Sequence, residues 1–243
     1  MEIYGGDWFM ANNNVSVHLP EGFTVTAHSG CEGTPDNSME FIRKGVEINA
    51  QILEVDVTFR ADGTPVLIHK EQADSDEGLL FDEAVRYISE NSDTVRLNLD
   101  LKSTANLSGI VEILDRYGMR ERCFYTGVNA DFVEAVRADG ELPYYLNTPI
   151  TRWKKHSPKE LNAALERVKK SGAIGINCSL KYASKKMVKL FRQNGLLVSC
   201  WTANTKSVMI KLLKIAPDNI TTRRPVFLNE LIKSTRQLKR EQT

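Results

Sequence analysis

Two β-like segments carry more acid than a buried strand should hold. In Ile52-Leu53-Glu54-Val55-Asp56-Val57-Thr58, the two-residue period puts Leu53, Val55 and Val57 on one face and Ile52, Glu54, Asp56 and Thr58 on the other. In Val95–Lys102 the leucines again share a face, and Asn98, Asp100 and Lys102 take the opposite one, with Lys102 nearest the C-terminal end. Strands of a parallel sheet covered on both sides read as almost unbroken hydrophobics, so these acids are out of pattern. Like charges this close repel in a low dielectric unless a cation or a shared proton compensates them. Glu54, Asp56 and Asp100 are all oxygen donors, which suits a hard divalent cation such as Mg²⁺ or Ca²⁺. Zinc calls for more His or Cys. The competing reading is a structural polar layer neutralised by Lys102 and Asn98, but one lysine does not balance three acids.

Histidine is scarce, with four in the chain, and two of them, His28 and His69, end β-like runs close to the acid segments. Two imidazoles beside a metal suit acid–base work on a phosphoester, one deprotonating the nucleophile while the other protonates the leaving oxygen. Lys102 can hold a phosphate oxygen as a point charge, or form an internal salt bridge to Glu54 or Asp100. Trp201, ending Val198-Ser199-Cys200-Trp201, either walls the pocket or packs. Cys31 and Ser29, next to His28, invite a nucleophile reading, against which Gly30 points to a plain loop. His18 and His156 lie in polar segments and receive no role. The lysine-rich Lys181–Lys189 stretch reads as a solvated helix face rather than a binding patch.

These groups need a frame. Short apolar runs alternate with helical stretches: strands at Thr24–His28, Ile52–Thr58, Thr94–Lys102, Cys123–Thr126, Tyr144–Asn147, Ala173–Cys178, Leu196–Thr202 and Asn219–Thr221. Helices fall between them, among them Asn37–Asn49, Leu80–Asn91, Asp131–Ala138 and Val226–Arg236. Asp62-Gly63, between two β-rich runs, signals a hairpin that returns through Pro65–His69. About eight β-then-α units in 243 residues, with no linker-like stretch and no phosphate-binding glycine fingerprint, predict a single-domain (β/α)₈ TIM barrel over 1–243, residues 1–22 being an N-terminal extension. The active-site mouth of such a barrel lies at the C-terminal ends of its strands.

Composition excludes several classes. Hydrophobic residues make up 42% and charged residues 26%, and the net charge is +1. This is ordinary globular usage, with no global field to draw in nucleic acid. No apolar run reaches the ~18–20 residues of a membrane span, so no stable membrane anchor is expected. The opening MEIYGGDWFM lacks a basic n-region, so no signal peptide is expected. Cys31, Cys123, Cys178 and Cys200 form no C-x-x-C pair, which fits reduced thiols in the cytoplasm. Composition leaves the oligomeric state open.

The same residues resemble the glycerophosphodiester phosphodiesterase family. That family opens with His-Arg-Gly, then Glu-Asn-Thr, Glu-x-Asp-Val, Thr-x-Asp-Gly and a strand ending in His-Asp. Here the matching positions read His28-Ser29-Gly30, Asp36-Asn37-Ser38, Glu54-Val55-Asp56-Val57, Asp62-Gly63 and Ile68-His69. The later Glu-x-Lys resembles Asp100-Leu101-Lys102, and Trp201-Thr202 and Thr221–Pro225 resemble C-terminal features. The resemblance implies a TIM-barrel hydrolase that cleaves a small glycerophosphodiester to glycerol 3-phosphate and an alcohol with Ca²⁺ or Mg²⁺. It assigns Glu54, Asp56 and Asp100 to the metal, His28 and His69 to acid–base catalysis, and Lys102 to phosphate. Ser29, in place of the family's arginine, is counted with Lys102 and Trp201 as substrate-binding, and Lys70 replaces the aspartate after the second histidine. Only Glu71–Leu79 separates His69 from the next helix, where the family often inserts a small subdomain. A non-catalytic barrel that binds a phosphorylated ligand, and a phospholipase-type enzyme acting on a lipid headgroup, are the alternatives.

Overall fold

The computed structural model describes residues 17–150 and 152–240, so most of the predicted extension 1–22 lies outside the described residues. Strands β1 (Thr24–Ala27) and β2 (Ile52–Phe59) are followed by a hairpin of β3 (Pro65–Leu67) and β4 (Leu79–Leu80). Then come β5 (Arg96–Leu101), β6 (Cys123–Val128), β7 (Tyr144–Leu146), β8 (Gly175–Ser179), β9 (Leu197–Trp201) and β10 (Asn219–Thr222). All but β3 and β4 are parallel, and β1 pairs with both β2 and β10, which closes an eight-stranded barrel. Helices α1 (Met39–Glu47), α2 (Phe81–Asn91), α3 (Leu107–Arg116), α4 (Val133–Ala135), α5 (Pro158–Ser171), α6 (Lys185–Gln193) and α7 (Lys206–Ile215) connect the strands, and α8 (Pro225–Arg240) follows β10.

The main core lies between sheet and helices. Leu53, Val55, Val57, Leu97, Leu99 and Leu101 all turn outward into it, as strand alternation requires, and meet the inward faces of the helices, such as Phe41 and Ile42 of α1 and Phe191 of α6. Each such buried side chain contributes roughly 1.5–3 kcal/mol. Four helices start at a polar cap, Ser38, Asn106, Ser184 and Thr205, whose side-chain oxygen accepts an amide N–H of the first turn. Each cap is worth about 1 kcal/mol.

Inside the barrel, Ile52, Phe124 and Tyr145 form an apolar plug, with the Arg96 guanidinium 5.4 Å from the Phe124 ring centre. Polar groups sit above it. The Thr26 hydroxyl donates to Asn219 Oδ1 at 2.8 Å, and Asn219 Nδ2 donates to Ser199 Oγ at 3.0 Å.

Two predicted elements differ. The helix expected over Asp131–Ala138 forms only the turn Val133–Ala135 and then widens into a π-turn over Val136–Gly140. Gly140 comes down on the Tyr125 ring, and the Tyr125 hydroxyl donates to Gly140 O at 3.3 Å, which draws the backbone out of helical register. The run expected to continue to His69 as a strand ends at Leu67. It pairs antiparallel with β2, as the Asp62-Gly63 hairpin signal predicts.

Candidate active site

Neighbouring strands β2 and β5 run in register, with Glu54 opposite Asn98 and Asp56 opposite Asp100. Glu54 and Asp56 are buried, at 6% and 5% exposure, and Asp100 is half-buried. One carboxylate oxygen from each of Glu54, Asp56 and Asp100 lies within 4.8 Å of the other two. Asp100 can sit this close to β6 because Gly127 follows Thr126. Gly127 has φ +74°, and a Cβ there would stand 2.5 Å from Leu101 O and 3.1 Å from Asp100 Oδ1. The Thr126 hydroxyl lies 2.7 Å from Asp100 Oδ1 and 2.8 Å from Asn98 Oδ1; with one proton, it serves one at a time.

The loop after β1 holds the other two acids. Ser29 N–H donates to Glu54 Oε2 at 3.0 Å. Asn37, in left-handed backbone with φ +52°, clips Asp56 twice: its Nδ2 donates to Asp56 Oδ2 at 2.8 Å and its Oδ1 accepts the Asp56 N–H at 3.0 Å. Gly30 makes the turn between them, at φ +75°, where a Cβ would lie 2.0 Å from Asp36 Oδ1. Replacing Asn37 with alanine leaves the buried Asp56 N–H without its acceptor, and should cost about 1–3 kcal/mol in urea-unfolding experiments. Asn37→Asp, which keeps an acceptor but adds a fourth acid, should be at least as damaging.

The charges are unbalanced. Burial, then Asp100 and Asp56, push the Glu54 carboxyl well above the usual carboxylate range. Burial also raises Asp56, but Lys102 beside it and hydrogen bonds from Lys102 and Asn37 outweigh that and hold it below its ordinary value. Lys102 Nζ bridges Asp56 Oδ1, at 2.7 Å, and Asp100 Oδ2. Burial works against the Lys102 ammonium, yet the two aspartates raise it. One lysine is thus spent on two acids, and among the described residues no lysine or arginine pairs with Glu54. An all-oxygen donor set around a buried, uncompensated carboxyl fits a hard divalent ion.

The two predicted histidines approach these acids by different routes. His28 follows β1, its Nδ1 2.9 Å from Ser29 O and 3.7 Å from Glu54 Oε2. His69 arrives on the hairpin, where Ile68 N–H donates to Asp56 O at 3.1 Å and His69 Nδ1 stands 3.1 Å from Asp56 Oδ1. Asp56, rather than the residue after His69, therefore orients this ring. Lys70 points elsewhere: its Nζ bonds Glu77 at 2.5 Å and closes the short loop 70–78.

Other predicted residues fall differently. Ser29 is fully buried and its Oγ accepts the Asn37 N–H at 2.6 Å, so its side chain faces the loop and not the mouth. Its assignment to substrate is corrected accordingly. Trp201 ends β9 at the mouth, 39% exposed, three strands from β2 by way of β1 and β10. Cys31 is buried and burial pushes its thiol up to about 12, which removes the nucleophile reading. The sequence reading missed the clip by Asn37 and the contact of Thr126, although Asn37 follows Pro35-Asp36 in a turn where asparagine tolerates left-handed backbone. A separate cavity of about 570 Å³ lies outside the barrel, between α6 and α7, lined in part by Val188, Arg192 and Leu213 and by none of the acids.

Comparison with known proteins gives a consistent picture. The model of the glycerophosphoryl diester phosphodiesterase family matches residues 83–226, a span that contains Asp100, Lys102 and Trp201 and begins after His69. No curated protein sequence matches. Among solved structures, an Oleispira antarctica phosphodiesterase in complex with the product sn-glycerol-3-phosphate is 19% identical, covering 88% of this chain and 97% of that one, with a TM-score of 0.71. A Parabacteroides distasonis glycerophosphodiester phosphodiesterase is 21% identical, covering 87% and 97%, with a TM-score of 0.69. One from Thermotoga maritima is 19% identical, covering 88% and 98%, with a TM-score of 0.63. At these identities the likeness shows the fold.

Proposed function

The chain belongs to the glycerophosphoryl diester phosphodiesterase family, and from that premise we propose that it hydrolyses a small glycerophosphodiester to glycerol 3-phosphate and an alcohol at the mouth of its barrel. The observation that carries this reading is the meeting of Glu54, Asp56 and Asp100 within 4.8 Å beside two histidines from separate segments. Family membership places the protein among the phosphoric diester hydrolases. Metal dependence and the residue roles are our reading of the geometry.

Glu54, Asp56 and Asp100 would hold the cation, Mg²⁺ or Ca²⁺, which when bound polarises a phosphoryl oxygen and offsets developing negative charge. With such charge available to the acids, Lys102 is freed to meet a non-bridging phosphate oxygen. His28 has Nδ1 turned to a carbonyl, so its Nε2 is the nitrogen presented to substrate. His69 has Nδ1 turned to Asp56, with the same consequence. One ring takes the proton of the attacking oxygen and the other returns a proton to the leaving alcohol. Trp201 walls the pocket opposite. Ser29 acts through Glu54 and Asn37 and makes no substrate contact. We take 1–243 as one domain, and the four buried free cysteines as suited to the cytoplasm. No helix among the described residues is long and apolar enough to cross a membrane.

A metal titration tests the reading. The Glu54 carboxyl is held well above its ordinary range and must lose its proton before it ligates, so the rise in melting temperature on adding Ca²⁺ or Mg²⁺ should be small in acid and grow as pH rises. Chelation should abolish turnover of glycerophosphocholine and glycerophosphoethanolamine. A chelated sample that keeps its full rate contradicts the metal role. Binding of glycerol 3-phosphate with no turnover at any metal concentration would instead support a barrel that binds without cleaving, the reading favoured by Ser29 standing in place of an arginine.

A further inference from the structure

The net charge of +1 conceals a strong segregation. Residues 152–192 carry twelve Lys and Arg against two acids, Glu160 and Glu166, whereas the rest of the chain carries twenty basic residues and twenty-nine acidic ones. This stretch is one continuous sector of the barrel: the end of the loop after β7, then α5, β8 and α6. Helices that follow parallel strands begin at the strands' C-terminal ends, so the loops and helix starts bearing Lys154, Lys155, Lys159, Lys181, Lys185 and Lys186 lie on the same rim as the catalytic mouth. The two loops are joined there, with Lys155 Nζ donating to Lys181 O at 3.1 Å and Ser184 Oγ to Lys155 O at 3.2 Å. They connect to the pocket wall, because Leu180 N–H donates to Trp201 O at 2.8 Å. In the middle of this rim Trp153 is 84% exposed, about twice the exposure of any other exposed large hydrophobic residue among those described.

We propose that this basic rim, with Trp153 as its apolar tooth, seats the mouth of the barrel on an anionic lipid bilayer. Tryptophan and lysine belong together at a membrane interface, where the indole settles among the headgroups and lysine stems lie along it with the ammonium in water. A nucleic acid fits less well. Nine of the twelve cations are lysines rather than arginines, which gives point charges without the fork that grips phosphate in fixed geometry. Docking brings lipid-borne phosphodiesters to the catalytic mouth; that consequence rests on the proposed phosphodiesterase activity, while the docking itself does not.

Sedimentation with vesicles tests the docking without reference to catalysis. The full chain should pellet with phosphatidylcholine vesicles containing about 30% phosphatidylserine, and remain in the supernatant with phosphatidylcholine alone. Each rim lysine removed should weaken partitioning about fivefold, so the double variant Lys181→Gln/Lys185→Gln should lose about 25-fold. Trp153→Phe should lose the blue shift in tryptophan emission that the anionic vesicles produce. Turnover of soluble glycerophosphocholine by both variants should match the parent, and equal melting temperatures show that both are folded. Equal partitioning into neutral and anionic vesicles, undiminished binding by the lysine variant, or tighter binding to single-stranded RNA than to vesicles would each overturn the proposal.

Discussion

Replacing His69 with alanine lowers kcat by ~10²–10⁴ at saturating metal, with little change in stability. The second half of that expectation makes the experiment decisive. The His69 side chain is 76% exposed and makes one contact with the acids, through Nδ1 to Asp56, so its removal opens no cavity and strands no buried donor. A fall in rate with an unchanged unfolding midpoint can then only be chemical. His69→Gln retains an amide that can reach Asp56 but cannot shuttle a proton, and it should be as slow as the alanine variant. Recovery of most of the rate in the glutamine variant would show that His69 merely orients Asp56. His28→Ala should lose a comparable factor, and the double variant should lose far less than the product of the two, because the residues act on one proton-transfer sequence. Steady-state kinetics on glycerophosphocholine, with denaturant unfolding of the same samples, measure all of this.

Much of this arrangement was legible beforehand because β2 and β5 are long enough to show their period. Eight and six residues of alternating sequence reveal which side chains turn inward, and acids on the inward face have no bland explanation. The polar interior contributed by β1 and β10 was not legible, since strands of four residues show too little alternation to assign Thr26 or Asn219 to a face. His69 was placed on the hairpin that Asp62-Gly63 signals, but its approach to Asp56 was not legible, because the strand stops at Leu67 and the last two residues turn back over β2. Ser29 and Asn37 illustrate a different limit. Each acts on an acid nineteen or more residues away, across a loop without a repeat, so only the folded chain shows that the serine is buried and the asparagine grips Asp56. The helix expected over Asp131–Ala138 forms as one α-turn that widens into a π-turn, packed on Tyr125 and Leu107 at Gly140, tertiary contacts that local propensity does not carry. Of the charged sector at 152–192, the sequence reading singled out Lys181–Lys189 alone, as a solvated helix face, because only the fold brings the other lysines beside it.

Glu54→Gln should make the cation-free protein more stable and inactive at once. Burial and the neighbouring Asp100 and Asp56 raise the Glu54 carboxyl far above its ordinary value, so its folded form holds a proton that the unfolded chain releases. A group raised in this way contributes fully below its unfolded pKa, and that contribution is lost as pH climbs toward the folded value. Without metal, the parent should therefore weaken as pH rises from the ordinary glutamate range. Glutamine has the same shape, can still accept the Ser29 N–H, and has no proton to lose. The variant should gain about 1–3 kcal/mol over the parent at neutral pH, with the gain shrinking toward zero in acid. The same change removes one of three anionic donors, so the divalent-ion increment in melting temperature should collapse and kcat should fall by at least ~10². If Glu54 were only part of a structural polar layer, the glutamine variant would be neutral or destabilised, metal would shift parent and variant equally, and turnover would survive. Opposite signs for stability and activity in one isosteric substitution are what the proposed cation site predicts, because the crowding that disfavours three carboxylates without an ion would favour them with one.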